Sequence, residues 1–292
     1  MSAKSANPVL REEYVRELPP ETNVEAIKVR LSPFEKLYNC TAARKIFILL
    51  MLALIWQIYA VRVDNELMFP TFSDTLVAFY TAVASGEMGL RVLTSLQVLA
   101  IAYACGVVIA TLLTILAITT KFGTDLLEVC TSMFNPLPAI ALLPLAFLWF
   151  GLGAPSIIFV IIHAVLWPLA LSIYTGFSSV SSTLRMVGRS YELKGLPLVF
   201  RILVPAAFAN ILTGLKVAWA FAWRTLIAAE LVFGVSSGSG GLGWFIYEKK
   251  NQLDIAEVFA GLFAIILIGV LVENIIFKYV EKKTIIKWGM KL

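Results

Sequence analysis

Charge is what this sequence has least of. Asp, Glu, Lys and Arg make up 15% of its 292 residues, against about 25% in an ordinary soluble domain. Between Glu128 and Arg185 there is none at all. A chain that is 59% hydrophobic, with mean hydropathy +0.85, could not cover a soluble core with so little polar surface. Histidine is nearly absent as well. His163 is the single one, and the three cysteines, Cys40, Cys105 and Cys130, show no CxxC or Cys/His spacing, which argues against a zinc site or a disulfide framework. No GxxxxGK[ST] run occurs, so no P-loop is expected here. The N-terminus lacks a basic stretch joined directly to an apolar one, so no cleaved signal is expected and the first span must drive insertion.

What is present is a succession of long apolar runs. Residues 1–45 are polar and mixed in charge, with Pro8, Pro19, Pro20 and Pro33 breaking any long helix, and read as a cytosolic arm. Residues 46–280 read as an all-α transmembrane bundle of about six spans, and 281–292 as a cytosolic basic tail. Ile46–Val61 is the first apolar run; Phe69–Glu87 has helical spacing of polar and apolar groups and reads as a surface helix. Val92–Thr120 is a clear span. The uncharged stretch up to Arg185 is long enough for two spans, turning at Gly151-Leu-Gly-Ala-Pro155. Asn135-Pro136-Leu-Pro138 and Pro144 lie in the first of these, where freed backbone carbonyls need other partners. A further span follows Pro205 to about Val235, and the last lies near Ile255–Ile276.

The net charge of +5 is distributed beside the apolar runs rather than in one patch, which speaks for membrane topology and not for nucleic acid. Lys121, the group Arg185, Arg189, Lys194 and Arg201, and the tail lysines fall on the same side as Arg44 and Lys45. The positive-inside rule then predicts both termini in the cytosol.

Two regions could carry function. Leu184, Val187 and Tyr191 share one face of a short helix within Leu184–Leu198, while Arg185, Arg189 and Glu192 project elsewhere and Gly195 and Pro197 break it. Such a helix can dock in a partner's groove or lie on lipid headgroups, and helical geometry alone favours neither. Within the span after Pro205, Lys216, Arg224 and Glu230 are costly in lipid and are expected to face protein or water. Lys216 can snorkel to the membrane edge. Arg224, beside Trp219 and Trp223, suits an oxyanion or a structural bridge. Glu230 is six residues on, so the two do not share a helix face. His163 reads as a hydrogen-bonded interior histidine or a proton relay, and Asn135 as a cap for the carbonyls freed by proline or as a path residue. Gly238-Ser-Gly240-Gly241-Leu-Gly243 matches GxGxxG but joins two spans instead of a strand and a helix, so it reads as a flexible connecting turn.

Gly188-Arg-Ser-Tyr-Glu-Leu-Lys-Gly195, Ile202-Leu-Val-Pro205-Ala-Ala, Gly214-Leu-Lys216, Trp223-Arg-Thr-Leu-Ile-Ala-Ala-Glu230 and Gly240-Gly-Leu-Gly-Trp244 together resemble type I ABC importer permeases. Pro136-Leu-Pro138-Ala-Ile-Ala-Leu-Leu-Pro144 and Trp149-Phe-Gly151-Leu-Gly153 fit the same group. The likeness is to the nitrate/sulfonate/taurine branch and covers roughly residues 66–290. The family's loop usually begins Glu-Ala-Ala; Met186-Val187-Gly188 stands near that place here.

The resemblance implies a permease fold with two copies forming the pathway in a bacterial inner membrane. It implies two ABC ATP-binding subunits below and a periplasmic or lipid-anchored binding protein delivering a small anionic solute from above. A coupling helix at about 184–198 would meet the ATPase through Leu184, Arg185, Val187, Arg189, Tyr191, Glu192 and Gly195, with Pro205 following. The substrate path would draw on Asn135, His163, Trp219, Trp223, Arg224 and Glu230. No catalytic residue, cofactor or metal is expected. The rival reading is a secondary transporter driven by an ion gradient, which favours inverted repeats and intramembrane acids; Glu230 is its main candidate. A membrane enzyme would need a nucleophile–base or metal constellation, which one histidine and scattered carboxylates do not supply.

Overall fold

A computed structural model describes residues 38–233 and 240–287. Most of the polar arm, Gly238 of the glycine segment and the last tail residues lie outside them. The chain divides into two compact units, Met1–Ala53 and Leu54–Leu292. The described part of the first unit is mostly helical, with exposed Phe47, Leu49 and Leu50.

In chain order the helices are α1 (Thr41–Val63), α2 (Phe72–Ala84), α3 (Glu87–Thr119), α4 (Lys121–Phe134), α5 (Ala139–Phe150, opening with a 3-10 turn) and α6 (Ala154–Ser178). They continue as α7 (Ser182–Ser190), α8 (Leu196–Ala206), α9 (Phe208–Phe233), α10 (Leu242–Asn251) and α11 (Ile255–Ile286). Helices α1, α3, α6, α9 and α11 are long and apolar enough to cross a membrane, and the bent pair α4–α5 brings the number to six when it is counted as one span. The predicted fold class, an all-α polytopic bundle of about six spans, is what the described residues form. The last helix runs on past residue 280, so residues 281–286 of the predicted tail are helical, with Ile285 packed beside Leu212 and Phe277.

Local sequence sets many of the boundaries. Thr71, Thr120, Ser181 and Asp254 each accept a hydrogen bond from a first-turn N–H, at Asp74, Gly123, Leu184 and Glu257 respectively, which satisfies donors a helix start leaves open. Between α4 and α5 the prolines decide. Pro136 and Pro138 have no N–H to continue the ladder, and the two helices meet at 88°. The first half of the uncharged stretch therefore belongs to two helices that meet at a sharp bend, the first of them starting at Lys121, ahead of Glu128.

Helices α3, α6 and α9 form the centre of the second unit. Helix α3 buries Ala102, Gly106, Ala110, Thr114 and Ala117 at intervals of three or four residues. Such a stripe of small residues lets membrane helices approach closely, because lipid supplies little hydrophobic drive between them. Val165, Leu169 and Ala170 of α6 and Ala218, Ala222 and Leu226 of α9 are buried in the same core.

Alternation of the crossings gathers the α6–α9 connection at one end with Lys121 and the C-terminus of α11. At the opposite end Arg91 of α3 pairs with Glu87 at 3.5 Å and with Glu248 of α10 at 2.7 Å. Lys249 there pairs with Glu257 at 2.6 Å and Glu87 at 3.8 Å. Burial pushes the Lys249 ammonium down, but the hydrogen bond and charge of Glu257, with the charges of Glu87 and Asp254, outweigh it and leave its pKa above 10.5.

Candidate coupling surface and translocation path

The connection between α6 and α9 is a packed hairpin. Ser181 starts α7, which presents Leu184, Met186 and Val187 outward, with Tyr191 at its C-cap 76% exposed. Arg185 does not join them. Its guanidinium donates to the carbonyls of Phe177 and Val180 at the end of α6, a cation on the negative end of a helix. Gly188 is buried against α8; a Cβ there would lie 2.6 Å from Leu198 Cδ1, so glycine sets the α7–α8 approach. The turn back uses Glu192 at φ 57° and Gly195 at φ 58°, left-handed conformations that suit glycine and cost other residues about 1 kcal/mol or more. Arg189, Glu192 and Lys194 are exposed on this hairpin, and Pro205 lies partly buried near the end of α8.

Thus Leu184–Leu198 is a helix, a left-handed turn and the start of a second helix. Leu184, Val187 and Tyr191 are all exposed on it. Arg185 belongs to the hinge with α6.

The path residues fall into two groups. A cavity of about 360 Å³ lies where the α4–α5 break, α6 and α9 meet, lined by Asn135, Pro136, His163, Trp167, Arg224 and Thr225 among others. His163 and Arg224 are at matching depth. Arg224 is eight residues from the end of its crossing at Val232 and His163 nine from the start of α6, about 12 and 14 Å at helical rise. A second cavity, of about 530 Å³, is lined by Lys216, Trp219, Trp223, Arg224 and Glu273. Trp219 stacks on Trp223 with centroids 6.5 Å apart and meets Tyr103 edge-on at 5.6 Å. Arg224 borders both spaces. Its Nε donates to Ala220 O at 3.0 Å, its guanidinium lies 5.0 Å from the Phe221 ring centroid, and no acidic side chain among the described residues pairs with it. Lys216 instead pairs with Glu281 of α11 at 3.0 Å.

Glu230 is not brought to either cavity. It is 2% exposed near the far end of α9, accepting hydrogen bonds from Ser95 Oγ at 2.8 and 2.9 Å and from Gly243 N at 2.8 Å. Ser95 Oγ in turn accepts from Leu242 N at 2.8 Å. The first two amides of α10 are thus capped by side chains of α3 and α9, which puts a carboxylate at a helix N-terminus. The predicted flexible turn is, over its described part, closely packed. A Cβ at Gly243 would lie 2.6 Å from Glu230 Cβ, one at Gly241 would overlap the carboxylate, and Gly240 has φ 69°.

Sequence reasoning passed over Trp167 and Ser95. Trp167 stands four residues after His163, on the same helix face, a spacing that could have drawn it in. Ser95 gives no such signal, being one hydroxyl on a long span. Among the described residues no three His, Cys, Asp or Glu side chains gather as metal ligands.

Residues 115–286 match the family described as binding-protein-dependent transport system inner membrane component. The nitrate import permease protein NrtB of Synechocystis sp. is 27% identical over 252 residues, 84% of this chain and 90% of that protein. A Bacillus subtilis permease, SsuC, named provisionally for aliphatic sulfonates, is 28% identical over 270 residues, 92% of this chain and 94% of its own. The taurine transport system permease protein TauC of Escherichia coli is 32% identical over 148 residues, 51% of this chain and 52% of its own.

Proposed function

Since the chain belongs to the family of binding-protein-dependent transport system inner membrane components, we propose that it is the permease subunit of an ATP-driven importer of a small anionic solute. Two copies form the path. Two ATP-binding subunits dock from the cytosol on the α7–α8 hairpin, and a binding protein delivers solute to the opposite end. Both termini lie in the cytosol, in keeping with Arg185, Arg189, Lys194 and Arg201 flanking that hairpin.

The observation that carries this reading is the hairpin itself. An apolar, exposed face of Leu184, Val187 and Tyr191 sits on a helix tied to α6 by Arg185 and to α8 by the Gly188 contact. Force applied to that face would pass directly to two helices of the bundle. Nitrate, sulfonates or taurine, the solutes named for the relatives, match an intramembrane Arg224 with no carboxylate partner among the described residues. The ion-gradient alternative has Glu230 as its main candidate acid, and that carboxylate accepts hydrogen bonds from Ser95 and from Gly243 at the start of α10.

The test is uptake by proteoliposomes holding the complex with its ATPase and binding protein. ATP-dependent uptake of nitrate, taurine or an alkanesulfonate is expected. Tyr191→Asp should weaken ATPase association at least tenfold, since a charge placed in an apolar interface costs several kcal/mol, while insertion is unchanged. Uptake driven by an ion gradient through this chain alone, with ATP inert, would overturn the proposal.

A further inference from the structure

The last turns of α11 carry four lysines, Lys278, Lys282, Lys283 and Lys287, and a single acid, Glu281. Packing sorts them by side. Phe277, Glu281 and Ile285 recur every four residues: Phe277 and Ile285 are buried with Leu212 of α9, and Glu281 meets Lys216 of α9 at 3.0 Å. The acid is thus turned to the bundle, while all four lysines stay exposed and no acidic side chain among the described residues pairs with them. Lys278 Nζ donates to Asn274 Oδ1 at 3.3 Å, and the Lys283 ammonium lies 4.6 Å from the Tyr279 ring centroid. Ile275, Tyr279, Lys282, Lys283 and Ile286 follow one another at intervals of three or four residues, so they share the outward side. Ile275 and Tyr279 are 60% and 57% exposed there. Counted from Ile255 at the start of α11, Ile275 stands about 30 Å along and Lys282 about 40 Å. The first depth is the far edge of a hydrocarbon core, and the second lies in the headgroup layer beyond it. Tyr279 falls between them, at the boundary where aromatic rings settle.

We propose that this side of α11 seats an anionic phospholipid, with Lys282, Lys283 and Lys287 on the headgroup phosphate and Ile275 and Tyr279 along the first part of an acyl chain. Like charges one turn apart repel, and a phosphodiester among them removes that repulsion. Basic residues directly beyond a membrane span attract anionic lipid in this way. An acidic protein surface would match the lysines equally well, but the same side continues into exposed Ile275 at hydrocarbon depth, which suits a molecule that is charged at one end and apolar at the other. The seat also has a route into the bundle. Glu281 and Ile285 tie this turn to α9, so a headgroup that steadies the end of α11 steadies the α9 contact with it. The seat rests on α11 as a crossing helix and on no part of the importer reading.

The experiment places the complete complex in phosphatidylcholine nanodiscs with a trace of phosphatidylglycerol that bears a photoreactive group beside its headgroup. Labelled peptides are read by mass spectrometry. Labelling of the segment 275–287 is expected, displaced by unlabelled phosphatidylglycerol and not by glycerol 3-phosphate in the buffer. A lysine near an anionic surface is worth about fivefold in association, so Lys282→Gln, Lys283→Gln and Lys287→Gln together should raise the phosphatidylglycerol needed for half-displacement at least tenfold. Lys121→Gln, which removes an exposed lysine at the same end of the bundle, should leave labelling of α11 unchanged. Amide exchange over 278–286 should slow severalfold when phosphatidylglycerol is added to the native complex and stay constant in the triple variant. Equal labelling by a phosphatidylcholine probe, or native half-displacement in the triple variant, would overturn the seat. Displacement by glycerol 3-phosphate would replace it with a site for soluble phosphate. Loss of ATPase association in the triple variant with the lipid preference intact would make the face a protein contact and equally overturn the proposal. If the triple variant fails to assemble, Lys282→Gln and Lys283→Gln decide singly, each expected to weaken retention about fivefold.

Discussion

Replacing Glu230 by alanine tests the tie between α10 and the bundle. The carboxylate accepts from Gly243 N at 2.8 Å and from Ser95 Oγ at 2.8 and 2.9 Å, all in a site 2% exposed or less. Its removal orphans two buried donors, each costing about 1–3 kcal/mol, and withdraws a negative charge from the start of α10, about 0.3–1 kcal/mol more. Relief of the buried charge offsets part of this, leaving roughly 3–4 kcal/mol against closure of α10. The assay is hydrogen–deuterium exchange of the amides of Leu242–Ile246 in nanodiscs. Since opening free energy sets exchange and 1.4 kcal/mol is tenfold, exchange there should quicken by more than about 100-fold. The amides of α6 should be unaffected. Glu230→Gln keeps one acceptor oxygen and should have about a third of the effect. With Ser95→Ala the double variant should fall well short of the sum, because both act on one network. Unchanged exchange in Glu230→Ala, or full additivity with Ser95→Ala, would refute the capping role.

Gly188→Val should push α7 away from Leu198, where a Cβ already meets Cδ1 at 2.6 Å, and overpacking of this kind costs about 1–3 kcal/mol; ATP turnover should persist while solute uptake per ATP falls severalfold, both read in the same proteoliposomes. The Lys249 pKa lies above 10.5 in the folded state, so its contribution to stability is fully present below the unfolded value and is lost as pH rises through the folded one. Lys249→Met should therefore lower the thermal midpoint by a constant amount between about pH 6 and 9, with the difference from the native chain shrinking only above that range; a difference that vanished by pH 8 would contradict the ion pairs with Glu257 and Glu87.

Much of this protein is legible in its sequence. The shortage of charge and the length of the apolar runs fixed an all-α membrane bundle, since every backbone group in lipid must be paired within its own segment. Pro136 and Pro138 announced trouble in one crossing, although the 88° bend they produce depends on what packs around them. The basic, amphipathic stretch around Leu184–Leu198 was also visible. Its division into α7, a left-handed turn and α8 was not, because Gly188 earns its place only through contact with Leu198.

Charged and polar residues within the spans were harder. Their cost in lipid is a property of each residue alone, so Arg224 and Glu230 stood out at once. Their separate fates came from neighbours far away in the chain: Ser95 and Gly243 for Glu230, the α4–α5 break and α6 for Arg224. Composition and periodicity determined that the chain spans a membrane and where its costly residues lie, because transfer from water to lipid is summed locally along the segment. Which of those residues caps a helix and which opens on a cavity was decided only by tertiary structure, because hydrogen bonds depend on partners that packing, not sequence distance, brings within 3 Å.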